Sequence, residues 1–176
     1  MSENIGEILQ FGVSGRDWEG KALDIRRMFF DFLKSARKSI VISAFSLGGR
    51  NDDMKTFFEI IEEKLIEGIQ IRFIVNADEN LKKFSKEKLE EFDRRFKHFT
   101  FQKVNPKRDG KDTNKLLHAK ITIVDREYGM LGSANISRNA LENNYEIMLK
   151  IKGKTVTDIH DLIINLSNTV ESGQDY

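Results

Sequence analysis

The chain has 176 residues, of which 39% are hydrophobic and 32% are charged, and its charges cancel to a net of +1. This length fits a single domain over residues 1–176, and the balanced charge argues neither for nor against nucleic acid as a partner. The absence of cysteine excludes disulfides and thiolate metal sites. Residues 1–12 lack a basic start followed by a long apolar run, and no apolar stretch approaches the length of a membrane span. We therefore expect a cytoplasmic protein without membrane insertion.

The apolar pattern of the first part of the chain predicts alternating strands and helices. A short strand is predicted over residues 5–13, followed by a helix over residues 18–38 with Asp17 as its N-cap. A buried strand over 39–45 leads to a helix that Asn51 caps and that ends near Gly68. The next strand spans residues 69–75. Because a long crossover joins these two strands, we expect them to pair in parallel.

The remaining sequence continues this alternation up to a final helix. The predicted order is a helix over 85–97 capped by Ser85, a strand over 99–104, an eleven-residue loop over 105–115, strands over 117–124, 128–131 and 145–151, and a helix that Thr155 caps. We expect an α/β sandwich in which helices flank a mixed, mostly parallel β-sheet.

A histidine and a lysine two residues apart stand in the strand predicted over 117–124. Residues at this spacing on a strand project to the same side, so His118 and Lys120 project together. Ser133 and Asn135 repeat the spacing after a glycine. Imidazole acts as a nucleophile or as a general acid/base near neutral pH, while the other three side chains supply hydrogen-bond donors. This set suits an anion with several oxygens, such as a phosphodiester, whose charge shifts during displacement.

Each of these residues also has a purely structural interpretation. A single histidine is far more often a core or surface residue than a catalytic one. Asp125 fits a simple turn, and Ser133 and Asn135 fit a turn cap. Lys120 is harder to explain, because an unpaired ammonium group in an apolar strand is costly, whereas an anion-binding role removes the difficulty. No second His, Cys or carboxylate stands at metal-ligand spacing, so we expect no metal site.

The spacing His-x-Lys-x4-Asp-x6-Gly-Ser-x-Asn, complete from His118 to Asn135, resembles the HKD signature of the phospholipase D superfamily. It is similar in particular to the small bacterial endonucleases with one such motif per subunit, and the resemblance covers most of the chain. It implies a phospholipase D-like fold and adds Glu146, at a distance from the histidine that fits the family, as the residue that orients an imidazole. The implied catalytic set is His118, Lys120, Asp125, Ser133, Asn135 and Glu146, with Asp125 in a largely supporting role.

The resemblance also implies a two-step displacement without metal or other cofactor. One histidine attacks phosphorus, and a second histidine protonates the leaving oxygen. The chain has one motif, and neither His98 nor His160 has a lysine two residues on, so a symmetric homodimer would supply the second His118. We therefore expect a homodimeric phosphodiesterase, and specifically a nuclease, with DNA as the first candidate substrate and RNA as the second.

The loop before the motif is basic, and its candidate substrate-binding residues are Lys107, Arg108, Lys111 and Lys115. It could follow a phosphate backbone, but a solvated polar loop explains the charges equally well. Two other functions remain as alternatives. One is a phospholipid hydrolase of the phospholipase D type, although the sequence has no amphipathic membrane helix or lipid anchor. The other is a nucleic-acid-binding module whose hydrolysis is latent or needs a protein partner.

Overall fold

The computed structural model describes residues 5–76, 81–104, 107–108, 111–112 and 116–172, with the backbone alone at 107–108, 111–112 and 170–172. The strands are β1 (Glu7–Ser14), β2 (Leu23–Asp24), β3 (Ser39–Ala44), β4 (Gln70–Asn76), β5 (Phe99–Val104), β6 (Lys107–Arg108), β7 (Lys111–Asp112), β8 (Ile121–Val124), β9 (Tyr128–Gly132) and β10 (Glu146–Lys152). The α-helices are α1 (Ile25–Lys34), α2 (Asp52–Ile66), α3 (Lys83–Arg95) and α4 (Lys154–Ser172). A 3₁₀ turn spans Arg16–Trp18, and a π-helical turn spans Asn139–Asn143.

Eight strands of the described chain form one mixed sheet in the order β2-β1-β10-β9-β8-β3-β4-β5. The crossover through α2 makes β3 and β4 parallel, as predicted, and the crossover through α3 makes β5 parallel to β4 as well. The pairings from β3 through β8, β9 and β10 to β1 are all antiparallel. The mixed sheet flanked by helices is confirmed, but parallel pairing does not predominate in it. Three residues, Asp125 to Glu127, join β8 to β9, and so short a connection permits only antiparallel strands.

This topology brings several chain segments to one edge of the sheet, which we call the His118 edge. The parallel strands β3, β4 and β5 all end there. Because β8 runs antiparallel to β3, the residues just before Ile121 lie at the same edge. The direction alternates again through β9 and β10, so the end of β9 at Gly132 and the start of β10 at Glu146 also lie there. Strand β1 ends beside them at Ser14.

The helix that follows β1 begins at Ile25 rather than at residue 18 as predicted. Gly20 has a φ of 74°, a left-handed backbone conformation that interrupts a helix. The cap is Asp24, whose carboxylate accepts a hydrogen bond from the Arg27 backbone N–H at 2.7 Å. Asp17 lies within the 3₁₀ turn instead. The predicted helix is confirmed over α1, but the predicted cap, Asp17, is wrong.

Two other predicted caps are also wrong, because their hydroxyl groups bind more distant parts of the chain. Ser85 lies inside α3 and donates to the backbone oxygen of Gly48 at 2.6 Å. Thr155 is inside α4 and donates to the backbone oxygen of Ile5. Asn51 is confirmed as a cap, since its side chain accepts from the Met54 backbone N–H at 3.0 Å. The segment predicted as a loop over 105–115 contains the short pair β6–β7.

The sheet separates two hydrophobic clusters. Alternate residues of each strand face α1, α2 and α3, where Phe57, Phe73 and Phe92 are fully buried. The intervening residues, such as Val41 and Ile123, belong to the cluster beneath α4. Within the described residues, no helix is both long and apolar enough to cross a membrane. The structure therefore has helix, sheet and helix layers, with the His118 edge open at one end.

Candidate active site

His118 and Lys120 lie in an extended segment just before β8, because regular pairing with β3 stops at Ile121. The hydroxyl of Ser43 donates to the Ala119 carbonyl oxygen at 3.3 Å and holds this segment against β3. The Lys120 Nζ donates to the His118 carbonyl oxygen at 2.9 Å and lies 3.4 and 3.3 Å from the two nitrogens of the imidazole. The predicted juxtaposition of imidazole and ammonium groups is therefore present in the structure.

Phe45 is a part of this site that sequence reasoning did not identify. Its ring centroid lies 4.7 Å from that of the exposed His118, and the Lys120 Nζ lies 5.2 Å from the same phenyl centroid. An ammonium group at this distance from an aromatic face is attracted by it. The sequence predicted Phe45 only as the last residue of a buried strand. Its place just after a parallel strand could have indicated a site, because ligands bind at the carboxyl ends of such strands.

The Lys120 side chain is half-buried against the hydrophobic core. It lines a small cavity together with Ile25, Phe29, Ser43, Ala44, Ile121, Thr122, Met130, Ala134, Asn135, Ile136, Leu141 and Met148. Burial lowers the pKa of Lys120 below that of an ordinary lysine, and the negative charge of Glu146 partly opposes the shift. The apolar wall thus holds the long side chain while its charge remains directed towards His118.

Asn135 lines the same cavity as Lys120. Among the described residues, its Oδ1 is buried without a hydrogen-bond partner. The Nδ2 of an amide can donate to an oxygen atom of a ligand. The structure therefore brings Asn135 and Lys120 together.

Ser133 extends the ladder between β9 and β10. Its backbone N–H donates to the Ile147 carbonyl oxygen at 3.1 Å, and its hydroxyl oxygen accepts from the Ile147 N–H at 3.1 Å. The preceding Gly132 allows this close approach, since a Cβ there would lie 2.1 Å from the Ile147 oxygen. The hydroxyl proton of the exposed Ser133 remains available to a ligand.

Glu146 begins β10 and pairs with Ser14. The Asn144 Nδ2 donates to its Oε1 at 3.3 Å. Its negative charge acts on Lys120 across the site. The role of Glu146 in orienting an imidazole stays a prediction, and in the structure Lys120 is its charged neighbour.

Asp125 lies at the opposite end of β8 from His118. Its carboxylate accepts hydrogen bonds from the backbone N–H groups of Arg37, Lys38 and Ser39, at 2.7 to 3.2 Å. It is five positions along the extended chain from Lys120, or about 16 Å. Asp125 is therefore not brought together with the other candidate residues, and its contacts join the β8–β9 turn to the start of β3.

The basic segment is described only in part. Lys107 and Arg108 form β6 and Lys111 lies in β7, with Lys107 opposite Asp112 and Arg108 opposite Lys111. Lys115 lies outside the described residues. Among the residues that the structure describes, no group of three or more His, Asp or Glu side chains could hold a metal ion.

Comparisons with known proteins agree with this fold. The family model described as "Cardiolipin synthase, PLD-like domain" matches residues 29–165. NucT from Helicobacter pylori is 22% identical, with a TM-score of 0.68 over 90% of this chain and 96% of that chain. Nuc from Salmonella typhimurium, a phospholipase D family member, is 17% identical, with a TM-score of 0.69 over 97% of this chain and 98% of that chain.

Phosphatidylserine synthase from Haemophilus influenzae Rd KW20 is 16% identical, with a TM-score of 0.68 over 96% of this chain and 40% of that chain. No curated protein sequence matches significantly. At these identities the solved structures confirm the predicted fold, and the family match covers well over half of the chain. This protein therefore belongs to the PLD-like domain family, within the phospholipase D superfamily of phosphodiesterases.

Proposed function

We propose that this protein is a metal-independent nuclease that cleaves DNA through a phosphohistidine intermediate, with RNA as the alternative nucleic-acid substrate. The observation that carries the proposal is an exposed imidazole whose nitrogens lie within 3.4 Å of the Lys120 ammonium group, at an edge that also carries Asn135. A nucleophile beside two fixed donors suits attack on a phosphodiester, because the donors stabilise negative charge on the non-bridging oxygens. The two structural neighbours NucT and Nuc motivate nucleic acid as the first substrate to test.

The reaction would proceed by two displacements. A His118 ring nitrogen attacks phosphorus, and a P–N bond forms while the P–O bond to the leaving group breaks. A second imidazole gives its proton to the leaving oxygen. That imidazole then takes a proton from water, which attacks the phosphohistidine, releases the phosphomonoester and restores His118. Lys120, which contacts His118 in the structure, would exchange that contact for a non-bridging oxygen when substrate binds.

The second imidazole would come from another copy of the chain. The sequence contains three histidines, and the other two have partners elsewhere in the fold. The His98 Nε2 lies 2.8 Å from the Leu65 carbonyl oxygen, and the His160 Nδ1 lies 3.0 Å from the Asp161 carboxylate. Two-fold symmetry that pairs the His118 edges would place two His118 side chains around one phosphodiester.

A partly exposed group of apolar side chains on the sheet supports this assembly. Phe11, Leu149, Leu131 and Ile121 form one row across β1, β10, β9 and β8, and Ile147 adjoins it. Phe11 is 52% exposed and Ile147 is 47% exposed, while the other three are half-buried beside the α4 cluster. We call these five residues the apolar strip. The apolar strip reaches the His118 edge, since Ile147 follows Glu146 and Ile121 follows Lys120. Contiguous exposed apolar surface marks interaction sites.

The apolar strip can be tested separately from the chemistry. Phe11 lies in β1, three strands away from β8, so Phe11→Lys should affect catalysis only by weakening the dimer. Ile66→Lys is the matched control, because Ile66 is 71% exposed and lies in α2, outside the apolar strip. Light scattering should show a monomer for Phe11→Lys and a dimer for the control. A fully dimeric Phe11→Lys protein would exclude this interface.

The function is tested with plasmid DNA, single-stranded DNA, RNA and a fluorescent phospholipid, all in EDTA. The lipid is included because the description of the matching family names a cardiolipin synthase. We expect cleavage of DNA in EDTA, and an acid-labile phosphate adduct on wild-type protein that a folded His118→Ala variant lacks. Cleavage that requires added magnesium, or turnover of the lipid alone, would refute the proposal.

A further inference from the structure

Asn135 lies near the start of the connection between β9 and β10, and Glu146 follows the end of that connection as the first residue of β10. The π-helical turn Asn139–Asn143 lies in the middle of this connection, closed by the Asn144 N–H donating to the Asn139 carbonyl oxygen at 2.7 Å. Such turns are rare and frequently lie at functional sites. Because this connection forms little regular structure of its own, its position depends on its contacts with neighbouring elements.

Neutral hydrogen bonds hold the backbone of the connection at Ile136, Ala140 and Asn144. The Gly48 N–H donates to the Ile136 carbonyl oxygen at 2.9 Å. The buried hydroxyl of Ser14 lies 2.8 Å from the carbonyl oxygens of both Ala140 and Asn144. These contacts place the backbone near the sheet, and the buried side chains of Ala140 and Leu141 hold the inner side of the π-helical turn against the core.

Four charged residues make a further contact with the π-helical turn, and we call them the charge tether. Asp53 in α2 is only 3% exposed and accepts a hydrogen bond from the Arg26 Nε of α1. The same Nε lies 3.6 Å from Glu142 Oε1 in the π-helical turn, and the Arg138 Nε donates to Glu142 Oε2 at 3.0 Å. These carboxylates raise the pKa of both arginines. Two positive and two negative charges thus connect α1 and α2 to the connection.

We propose that the charge tether positions Asn135 and Glu146 for phosphodiester cleavage, with Arg26 and Glu142 as positioning residues. The inference rests on the proposed function. A carboxylate as buried as Asp53 requires its partner, so Arg26 is held in one place. Arg26 then fixes Glu142 and the π-helical turn relative to α1. Small displacements of groups that hold reacting atoms reduce rates strongly.

An ion pair that contributes only to the stability of the fold would leave kcat unchanged when it is removed. The Glu142 side chain is 34% exposed, and ion pairs near the surface contribute little to stability. Glu62 offers a matched control, since its side chain is 29% exposed and bonds Arg95 at 2.6 Å, between α2 and α3. Glu142→Gln and Glu62→Gln each remove one negative charge from a comparable ion pair. Neither change removes the Arg26 partner of Asp53, so we expect both variants to fold.

The kinetic test uses bis(4-nitrophenyl) phosphate, a small phosphodiester that reaches the site without contacts to a long polymer. We expect Glu142→Gln to lower kcat about tenfold, with KM nearly unchanged, because a loss of transition-state contact acts on kcat. Glu62→Gln should match the wild type. Arg26→Lys, which retains the charge, should lose less activity than Arg26→Gln. Equal kcat values for the Glu142 and Glu62 variants would overturn the proposal.

A binding test separates this inference from the proposed function. Vanadate resembles the five-coordinate transition state, whereas inorganic phosphate resembles the ground state. We expect Glu142→Gln to weaken vanadate binding about tenfold and to leave phosphate binding unchanged. A wild-type protein that binds vanadate but cleaves no nucleic acid would refute the proposed function. The ratio of vanadate affinities between the wild type and Glu142→Gln would still decide whether the charge tether has a positioning role. Equal vanadate affinity in both glutamate variants, or no vanadate binding by the wild type, would refute the positioning role.

Discussion

Replacing Asp125 can separate a role in the fold from a role in the reaction. Its Oδ1 accepts from the backbone N–H groups of Lys38 at 2.7 Å and Ser39 at 2.9 Å, and its Oδ2 accepts from that of Arg37 at 3.1 Å. Its φ is 57°, a left-handed conformation that costs alanine more free energy than it costs asparagine. Substitutions at Asp125 should therefore change the free energy of unfolding in a graded order.

The expected losses follow from these contacts. At about 1 kcal/mol for each hydrogen bond, Asp125→Gly loses about 3 kcal/mol. Asp125→Ala loses about 4 kcal/mol, because the left-handed backbone costs alanine about 1 kcal/mol more. Asp125→Asn keeps an oxygen at the Oδ1 position and should lose about 1 kcal/mol. Urea denaturation followed by circular dichroism measures all three values.

Turnover decides between the two roles. Because Asp125 lies about 16 Å along the chain from Lys120, folded Asp125→Asn protein should keep nearly wild-type kcat on a small phosphodiester. A loss of a hundredfold or more, with unchanged stability, would mean that Asp125 acts at the reacting atoms and would refute this reasoning. Asp125→Ala protein as stable as the wild type would refute the contribution calculated from its contacts.

Three further predictions concern the reaction and its substrate. Heterodimers of wild-type and His118→Ala chains should be nearly inactive on DNA, whereas two independent sites would retain half of the turnover. Burial lowers the pKa of Lys120, so its positive charge is present below that pKa and is lost as pH rises through it. The alkaline decline of kcat should therefore begin at a lower pH than that at which an ordinary lysine titrates. Folded Lys120→Arg protein should lose this alkaline decline, and an unchanged pH profile would exclude Lys120 as its cause. Changing Lys107, Arg108 and Lys111 to Glu should weaken DNA binding and flatten its salt dependence while sparing a small phosphodiester, and unchanged DNA binding would leave these residues as a solvated surface.

The chemical character of the site was predictable from local sequence. The spacing from His118 to Asn135 combines a nucleophile, a cation and neutral donors, and alternation along an extended chain places the first two on one side. The same local regularities predicted the helix that begins after Asn51 and the parallel pairing of β3 with β4. These features depend on residues within one helical turn of each other, or on two strands joined by one crossover helix. A local sequence pattern can therefore predict them.

Other features required the folded chain, because they depend on residues that are distant in sequence. Local pattern placed Asp125 in a turn, but only the tertiary structure directs its carboxylate to Arg37, Lys38 and Ser39. Nothing in the neighbouring sequence connects Phe45 with His118, whose rings meet because β3 pairs with β8. The sequence alone thus determined which chemical groups the site contains and the spacing of those groups along the chain. The tertiary structure decided which of them meet at the His118 edge, because long-range strand pairing sets which segments lie side by side.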